Sequence, residues 1–253
     1  MAEKKLQDTV DGLRAVELQY RIIREISTGR AAAFQSQTRL NSPKLGVLTP
    51  DKFRDVSEIT DQAVRLFYLE LVQVLDAHNI FVERELNFSW LSVYMPVRFL
   101  KVPMAEKTLL EYFSRYNVPT NRICFELSEK LLEETDGQIT PVIEKMRNRG
   151  FHFMLTNFGG DTCPMMRLSN FSVDYVMLSP EVSNFIGRSE RSDTAVKSII
   201  GFINDMGAET VADGIFNSHQ AEILYEFDCS YCTGSLAGNY MTEKYVKRKN
   251  EEN

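Results

Sequence analysis

The side chains best suited to chemistry recur where short apolar runs give way to polar residues. In chain order they are Gln35 with Arg39, Tyr94, Glu126 with Glu129, Thr156 with Asn157, Met177 with Ser179, and Asp213. Carboxylate oxygens at such places serve a hard divalent cation or a proton transfer. On spacing alone, Glu126 and Asp213 could pair for either task. Gln35 brings no charge, and the Met177 thioether cannot ligate a hard cation. Plainer readings stand beside these. Glu129 suits the first turn of a helix, where the macrodipole favours a carboxylate, and a strand methionine is commonly core. The pattern is densest over Phe151 to Asp161, FHFMLTNFGGD. Phe151, Phe153 and Leu155 alternate as in a strand, then Thr156-Asn157 and Gly159-Gly160 break it. Glycine permits positive φ and the close approach of another backbone or a ligand. Strands that end this way are where α/β folds place their sites.

The elements that must hold these residues alternate along the chain. Residues 1–16 are polar with weak helical character, a helix or a flexible lead-in. Tyr20, Ile22, Ile23 and Ile26 predict a first strand and Ala31 to Leu40 a second. Ser27-Thr28-Gly29 between them is turn chemistry too short for a crossover, so the pair runs antiparallel. Thr49-Pro50 predicts a helix start, and Val64, Phe67, Tyr68, Leu71 and Leu75 line one face of the next helix. Strands follow at Asn87 to Met95, Arg122 to Leu127, Phe151 to Leu155, Val173 to Leu178 and Thr210 to Ala212. Helical stripes separate most of them, at Glu106 to Tyr116, Ile139 to Met146 and Val196 to Ile203, with Asn217-Ser218 capping a last helix. Cys229 to Leu236 closes the series as a strand or turn. About eight strands in a chain of 253 residues predict a closed α/β barrel with an antiparallel first strand, against an open doubly wound sheet as the competing fold. The domain reading is a lead-in over 1–16, one barrel over 17–243 and a charged tail over 244–253.

Composition narrows the function. A net charge of −6 argues against nucleic acid, which needs clustered Lys and Arg. No apolar run reaches the ~18 residues of a membrane span, and MAEKKLQDTVDGLR lacks the apolar core of a signal peptide. A cytoplasmic location is therefore expected, with Cys124, Cys163, Cys229 and Cys232 as thiols. The lone Cys229-Ser230-Tyr231-Cys232 has no second ligand pair and reads as buried structure rather than zinc.

The pieces TGRAAAFQSQTRLNSP, LTPDKF, FELSE, GFHFMLTNFGG, VDYVMLS, TVADGI and CTG, in this order and spacing from about Tyr20 to Met241, resemble the EAL-domain family of bacterial phosphodiesterases that open cyclic di-GMP. The resemblance implies a modified TIM-like (β/α)8 barrel whose first strand is antiparallel. It also implies two divalent cations held by strand-end carboxylates, with a lysine that helps activate water. Two such ions stabilise both the attacking and the leaving oxygen of a phosphodiester. Carried over position by position, most of that apparatus is replaced. The Glu-Ala-Leu signature falls on Gln35-Ser36-Gln37. The asparagine ligand falls on Tyr94, the Asp-Asp pair on Thr156-Asn157, the lysine on Met177 and a nearby aspartate on Ser179. The glutamates of the Ala-Glu-Gly-Val-Glu segment fall on Asp213 and Phe216, and an early nucleotide-binding glutamine on Arg21. Glu126, Glu129, Arg39 and Asp213 remain as polar survivors.

Losing three carboxylates from a site for four positive charges predicts that no metal cofactor is held and that no residue is catalytic. Gln35, Arg39, Tyr94, Glu126, Glu129, Asn157, Met177 and Asp213 are then a vestigial or ligand-binding pocket. The expected function is a catalytically inactive regulator in bacterial signalling that binds a protein partner, with a homodimer also open. The alternatives are a metal-independent receptor for cyclic di-GMP, using Arg39 on a phosphate, and a single-metal phosphodiesterase using Glu126, Glu129 and Asp213. Asn157 to Cys163 is the candidate partner surface, since the matching loop in active relatives contributes to catalysis and dimer contacts.

Overall fold

The alternation of apolar runs and turn residues resolves into a closed barrel in the computed structural model, which describes residues 9–10, 13–135, 137–160 and 163–247. A small antiparallel ladder of β1 (Thr9–Val10) and β2 (Leu13–Arg14) comes first. It is followed by β3 (Val16–Glu25) and β4 (Ala31–Ser42), with β5 (Gly46–Leu48) folded back on the end of β4. The chain continues through α1 (Pro50–Glu58), α2 (Gln62–Glu83), β6 (Trp90–Tyr94), α3 (Ala105–Tyr116), β7 (Ile123–Ser128), α4 (Ile139–Arg147) and β8 (His152–Phe158). Then come β9 (Tyr175–Leu178), α5 (Pro180–Ser183), α6 (Glu190–Asp205), β10 (Glu209–Ala212), α7 (Ser218–Glu226), β11 (Tyr231–Cys232) and β12 (Met241–Thr242).

Closure follows from the pairing. Strands β4, β6, β7, β8, β9, β10 and β11 are parallel neighbours in that order. β3 joins the two ends of the row, antiparallel to both β4 and β11. The eight-stranded barrel with an antiparallel first strand is thus the observed architecture. β12 takes the remaining edge of β3, setting Met241 opposite Tyr20.

Side chains of successive strand residues point to opposite faces, so each strand serves two cores. Ile23, Ala33, Trp90, Cys124, Met154, Tyr175, Met177 and Val211 fill the barrel interior. Trp90 and Tyr175 plug it with ring centroids 5.0 Å apart. The alternate residues pack outward against the helices. Phe67 of α2 meets Phe99 at 4.7 Å, and Phe113 of α3 meets Phe151 at 5.0 Å. Burying one such side chain contributes ~1.5–3 kcal/mol.

Local signals set the helix starts. Ser189 and Ser192 form a reciprocal capping box on α6, Asn217 caps α7 and Ser179 caps the short α5. Pro50 opens α1 as predicted, but Thr49 makes no side-chain cap bond to the backbone; its hydroxyl engages Asp51 instead.

Several boundaries differ from the sequence reading. β3 begins at Val16, and the lead-in, expected as a helix or a flexible segment, forms β1 and β2 where it is described; residues 1–8 and 11–12 lie outside the described residues. β5 and β12 were not expected, because elements of three and two residues are too short to show a period. Thr156-Asn157 lies inside β8 rather than after it. The β8–β9 ladder slips between Leu155 and Phe158, and Asn157 takes φ +60 there. Asp161 and residues 248–253 of the charged tail lie outside the described residues. All four cysteines are free thiols, and Cys229 and Cys232 are buried.

Candidate functional site

The polar strand ends open onto a cleft of about 490 Å³. Of the residues singled out from the sequence, Gln35, Tyr94, Glu126, Thr156, Asn157, Met177 and Asp213 line it. Arg39 does not; it sits opposite Glu17 in the β3–β4 ladder. Glu129 lies on the short helical turn after β7, off the cleft lining, and accepts a hydrogen bond from Asn157 Nδ2 at 2.9 Å. The Ser179 hydroxyl is turned to the start of α5, where it accepts from the Val182 amide.

Arg21, Gln35, Glu126, Asp213 and Tyr240 form the centre. Arg21 reaches over from β3. Its Nε donates to Gln35 Oε1 and its Nη2 to Asp213 Oδ2, both at 2.8 Å. Tyr240 OH donates to the same Gln35 oxygen at 3.1 Å, and the Arg21 guanidinium lies 4.7 Å from the Tyr240 ring centre. Gln35 Nε2 in turn donates to Glu126 Oε2 at 3.1 Å. Ser92 donates its hydroxyl proton to the other Glu126 oxygen, and the Gly214 amide donates to Asp213 Oδ1 at 2.6 Å. Burial of Arg21 works against its charge, but Tyr240, Asp213 and Glu126 outweigh that and hold it above the ordinary guanidinium value. Glu126 goes the other way. Burial raises its carboxyl above the usual range, although the Ser92 and Gln35 hydrogen bonds and the two arginines oppose this.

A second group walls the cleft from the α1 side. Arg54 stacks 4.1 Å above Tyr94 and donates to Thr38 at 2.7 Å and Glu70 at 2.6 Å. Tyr94 OH donates to Glu58 at 2.6 Å. Glu70 is wholly buried, and that burial raises its pKa against the pull of Arg54 and Thr38. α1 is thereby tied to β4 through Arg54 and to β6 through Glu58.

The loop after β10 is positioned by a backbone contact that only glycine allows. Gly234 has φ +133, and a Cβ there would collide with the backbone N and O of Ile215. Ile215 is meanwhile held by Thr233 O and holds the Leu236 amide. This fixes the turn carrying Asp213.

Sequence reasoning missed Arg54, Glu70, Ser92 and Tyr240, and met Arg21 only as a departure from the family pattern. None carries a motif. The one usable signal is charge inside an otherwise apolar stripe, as at Glu70 within FYLELV.

Magnesium asks for several hard oxygen ligands in near-octahedral array. Here both oxygens of Glu126 and both of Asp213 already accept from protein donors, and Gln35 Oε1 accepts from two. Met177 contributes sulfur, which accepts from Gln35 Nε2 at 3.6 Å. This donor set does not fit a two-metal centre. Among the described residues, no three His, Cys, Asp or Glu side chains group as metal ligands.

A closed α/β barrel with an antiparallel first strand and a polar cleft at its strand ends defines a class, and the sequence matches it directly. The chain belongs to the EAL domain family, whose model covers residues 3–240. It is 22% identical over 211 residues to the cyclic di-GMP phosphodiesterase RocR of Pseudomonas aeruginosa, covering 82% of this chain and 53% of that protein. It is 23% identical over 207 residues to the cyclic di-GMP phosphodiesterase PdeB of Shewanella oneidensis, covering 79% of this chain and 22% of that one. The chain thus spans about half or less of the length of these relatives. The PaMucR phosphodiesterase in complex with cyclic di-GMP shares the fold with a TM-score of 0.81 at 16% identity, over 92% of this chain and 94% of that one. Among the described residues no helix is long and apolar enough to cross a membrane.

Proposed function

We propose that this chain is a non-catalytic EAL-domain regulator that acts in bacterial cyclic di-GMP signalling by binding a protein partner. The observation that carries this reading is the closed network at the cleft centre, where Arg21 and Gln35 occupy the Glu126 and Asp213 oxygens. With the Glu126 and Asp213 oxygens so engaged, the site is poorly furnished to polarise a phosphodiester through metal ions. With Met177 where the family resemblance places a lysine, it also lacks that ammonium to orient water. Glu126 is a poor general base as well, being buried and already donated to at both oxygens. The test is incubation with cyclic di-GMP in Mg²⁺ or Mn²⁺, with products separated by chromatography, and affinity capture of partners by the intact chain. Metal-dependent turnover that disappears in Glu126→Gln would refute the reading.

One observation favours a second reading, a metal-independent receptor for cyclic di-GMP. Two guanidinium–phenol pairs, Arg21 with Tyr240 and Arg54 with Tyr94, wall the cleft and offer flat faces and N–H donors to a nucleotide. Calorimetry in magnesium and then in EDTA separates the two. Binding that survives EDTA supports the receptor, and silence in both buffers leaves the protein-binding regulator.

A further inference from the structure

We infer that Arg21 is a built-in cation at the centre of the cleft, taking with Gln35 the place at the Glu126 and Asp213 carboxylates that a divalent ion would need. This deepens the reading just given and rests on it.

The guanidinium leaves the antiparallel strand β3 and bridges its neighbour β4, at Gln35, to the end of β10, at Asp213, with both hydrogen bonds at 2.8 Å. Arg21 and Asp213 are only 13% and 16% exposed, so water and salt screen the pair far less than a surface pair. Tyr240 closes the third side over the guanidinium face.

Gln35 is the matching part. Its amide accepts from Arg21 and Tyr240 through the oxygen and donates to Glu126 through the nitrogen. A carboxylate at this position could do only the first, and would face Glu126 with like charge at about the present 3.1 Å. Arginine at 21 and glutamine at 35 are therefore one device. It neutralises Asp213, satisfies Glu126 and excludes a second cation. A unit charge about 5 Å from a divalent ion weakens its binding by more than about tenfold even at the dielectric of water.

The test is a Mn²⁺ titration of the full chain at pH 7.5, with free ion read by electron paramagnetic resonance and thermal melts run in parallel. Four forms are compared: wild type, Arg21→Lys, Arg21→Met, and Arg21→Met combined with Gln35→Glu. Wild type and Arg21→Lys are expected to leave Mn²⁺ free. The double variant is expected to take up one ion at least about tenfold more tightly, and to lose it again when Asp213→Asn is added. The inference is overturned if wild type binds as tightly as the double variant, or if Arg21→Lys binds as tightly as Arg21→Met. It is also overturned if the folded double variant binds no better than wild type. If the methionine variants do not fold, wild type and Arg21→Lys decide: both metal-free supports the inference, and Mn²⁺ uptake by either that Asp213→Asn abolishes refutes it. Turnover of cyclic di-GMP by wild type would sink the preceding proposal instead, and is read in a separate assay.

Discussion

Replacing Arg54 by alanine isolates the cost of burying one carboxylate. Among the described residues Arg54 is the only cationic partner of Glu70, whose side chain has no exposure while that of Arg54 retains 12%. In Arg54→Ala the carboxyl keeps only the Thr38 hydroxyl. An ionised group so placed escapes the burial penalty by taking a proton. The unfolded glutamate titrates at 4.5, so folding with a neutral Glu70 at pH 7 costs about 1.36 kcal/mol for each of the intervening units, about 3.4 kcal/mol. Burial already raises the Glu70 pKa in the wild type, so part of this cost is present before mutation, and the expected loss lies below that ~3.4 kcal/mol. At ~2–4 °C per kcal/mol for a chain of this size, the melting temperature should fall by about 5–10 °C at pH 7. At pH 5 most of the proton cost has gone and the loss should shrink below about 1 kcal/mol. Scanning calorimetry at the two pH values measures this, with Glu70→Gln/Arg54→Ala as the control that removes the charge altogether. Equal losses at both pH values would refute the argument, because the energy would then lie in the stack of Arg54 on Tyr94.

Glu126→Gln should gain stability relative to wild type as pH rises. A carboxyl whose folded pKa is raised lets the folded state hold the extra proton, so its contribution is greatest at low pH and is lost as pH climbs through the folded value. Melts of the two proteins at pH 5 and pH 8 check the sign. Asp174 should behave oppositely. Burial opposes its charge, but His152, Arg147 and the Phe153 amide together lower its pKa, so the stability it provides at neutral pH is lost on acidification. Asp174→Asn should then be destabilised at pH 7 and converge on wild type towards pH 3, as denaturant titrations would show. Gly234→Ala should cost more than the ~1 kcal/mol of an ordinary Gly→Ala misfit, because its methyl meets Ile215 backbone rather than a movable side chain. Urea unfolding reads the cost. Trp90→Ala should cost about 3–5 kcal/mol by hollowing the barrel interior against Tyr175, measured in the same way.

The barrel was legible because its strands obey period two and its helices period 3.6. The strand expected at Arg122 to Leu127 is β7, and its residues alternate, with Cys124 inward, Phe125 outward and Glu126 on the cleft. What sequence could not show was pairing between distant residues. Nothing near Arg21 announces a partner 192 positions away, and nothing near Tyr240 announces Gln35. Arg39 shows the converse. The family resemblance made it a possible phosphate ligand, yet it lies off the cleft lining, opposite Glu17. A strand-end reading assumes that the strand stops at the site, and β4 runs on to Ser42. In β8 the slip at Asn157 leaves the neighbours Thr156 and Asn157 both lining the cleft, a feature set by backbone conformation rather than residue pattern.

The seam at β3 also bears on how the molecule is made. The first long strand finds its partners on one side at once, through the tight turn to β4. On the other side it must await β11 and β12. During synthesis the ring cannot close before Tyr231 and Met241 are made, so Trp90, Met154 and Met177, which the finished barrel buries, are expected to lack that cover until then. Arg21 spends that interval without Asp213. Joining the seam ties the last strands made to the first, so closure should come as one late cooperative event. A nascent chain halted before Tyr231 should remain open to proteases that the finished barrel resists.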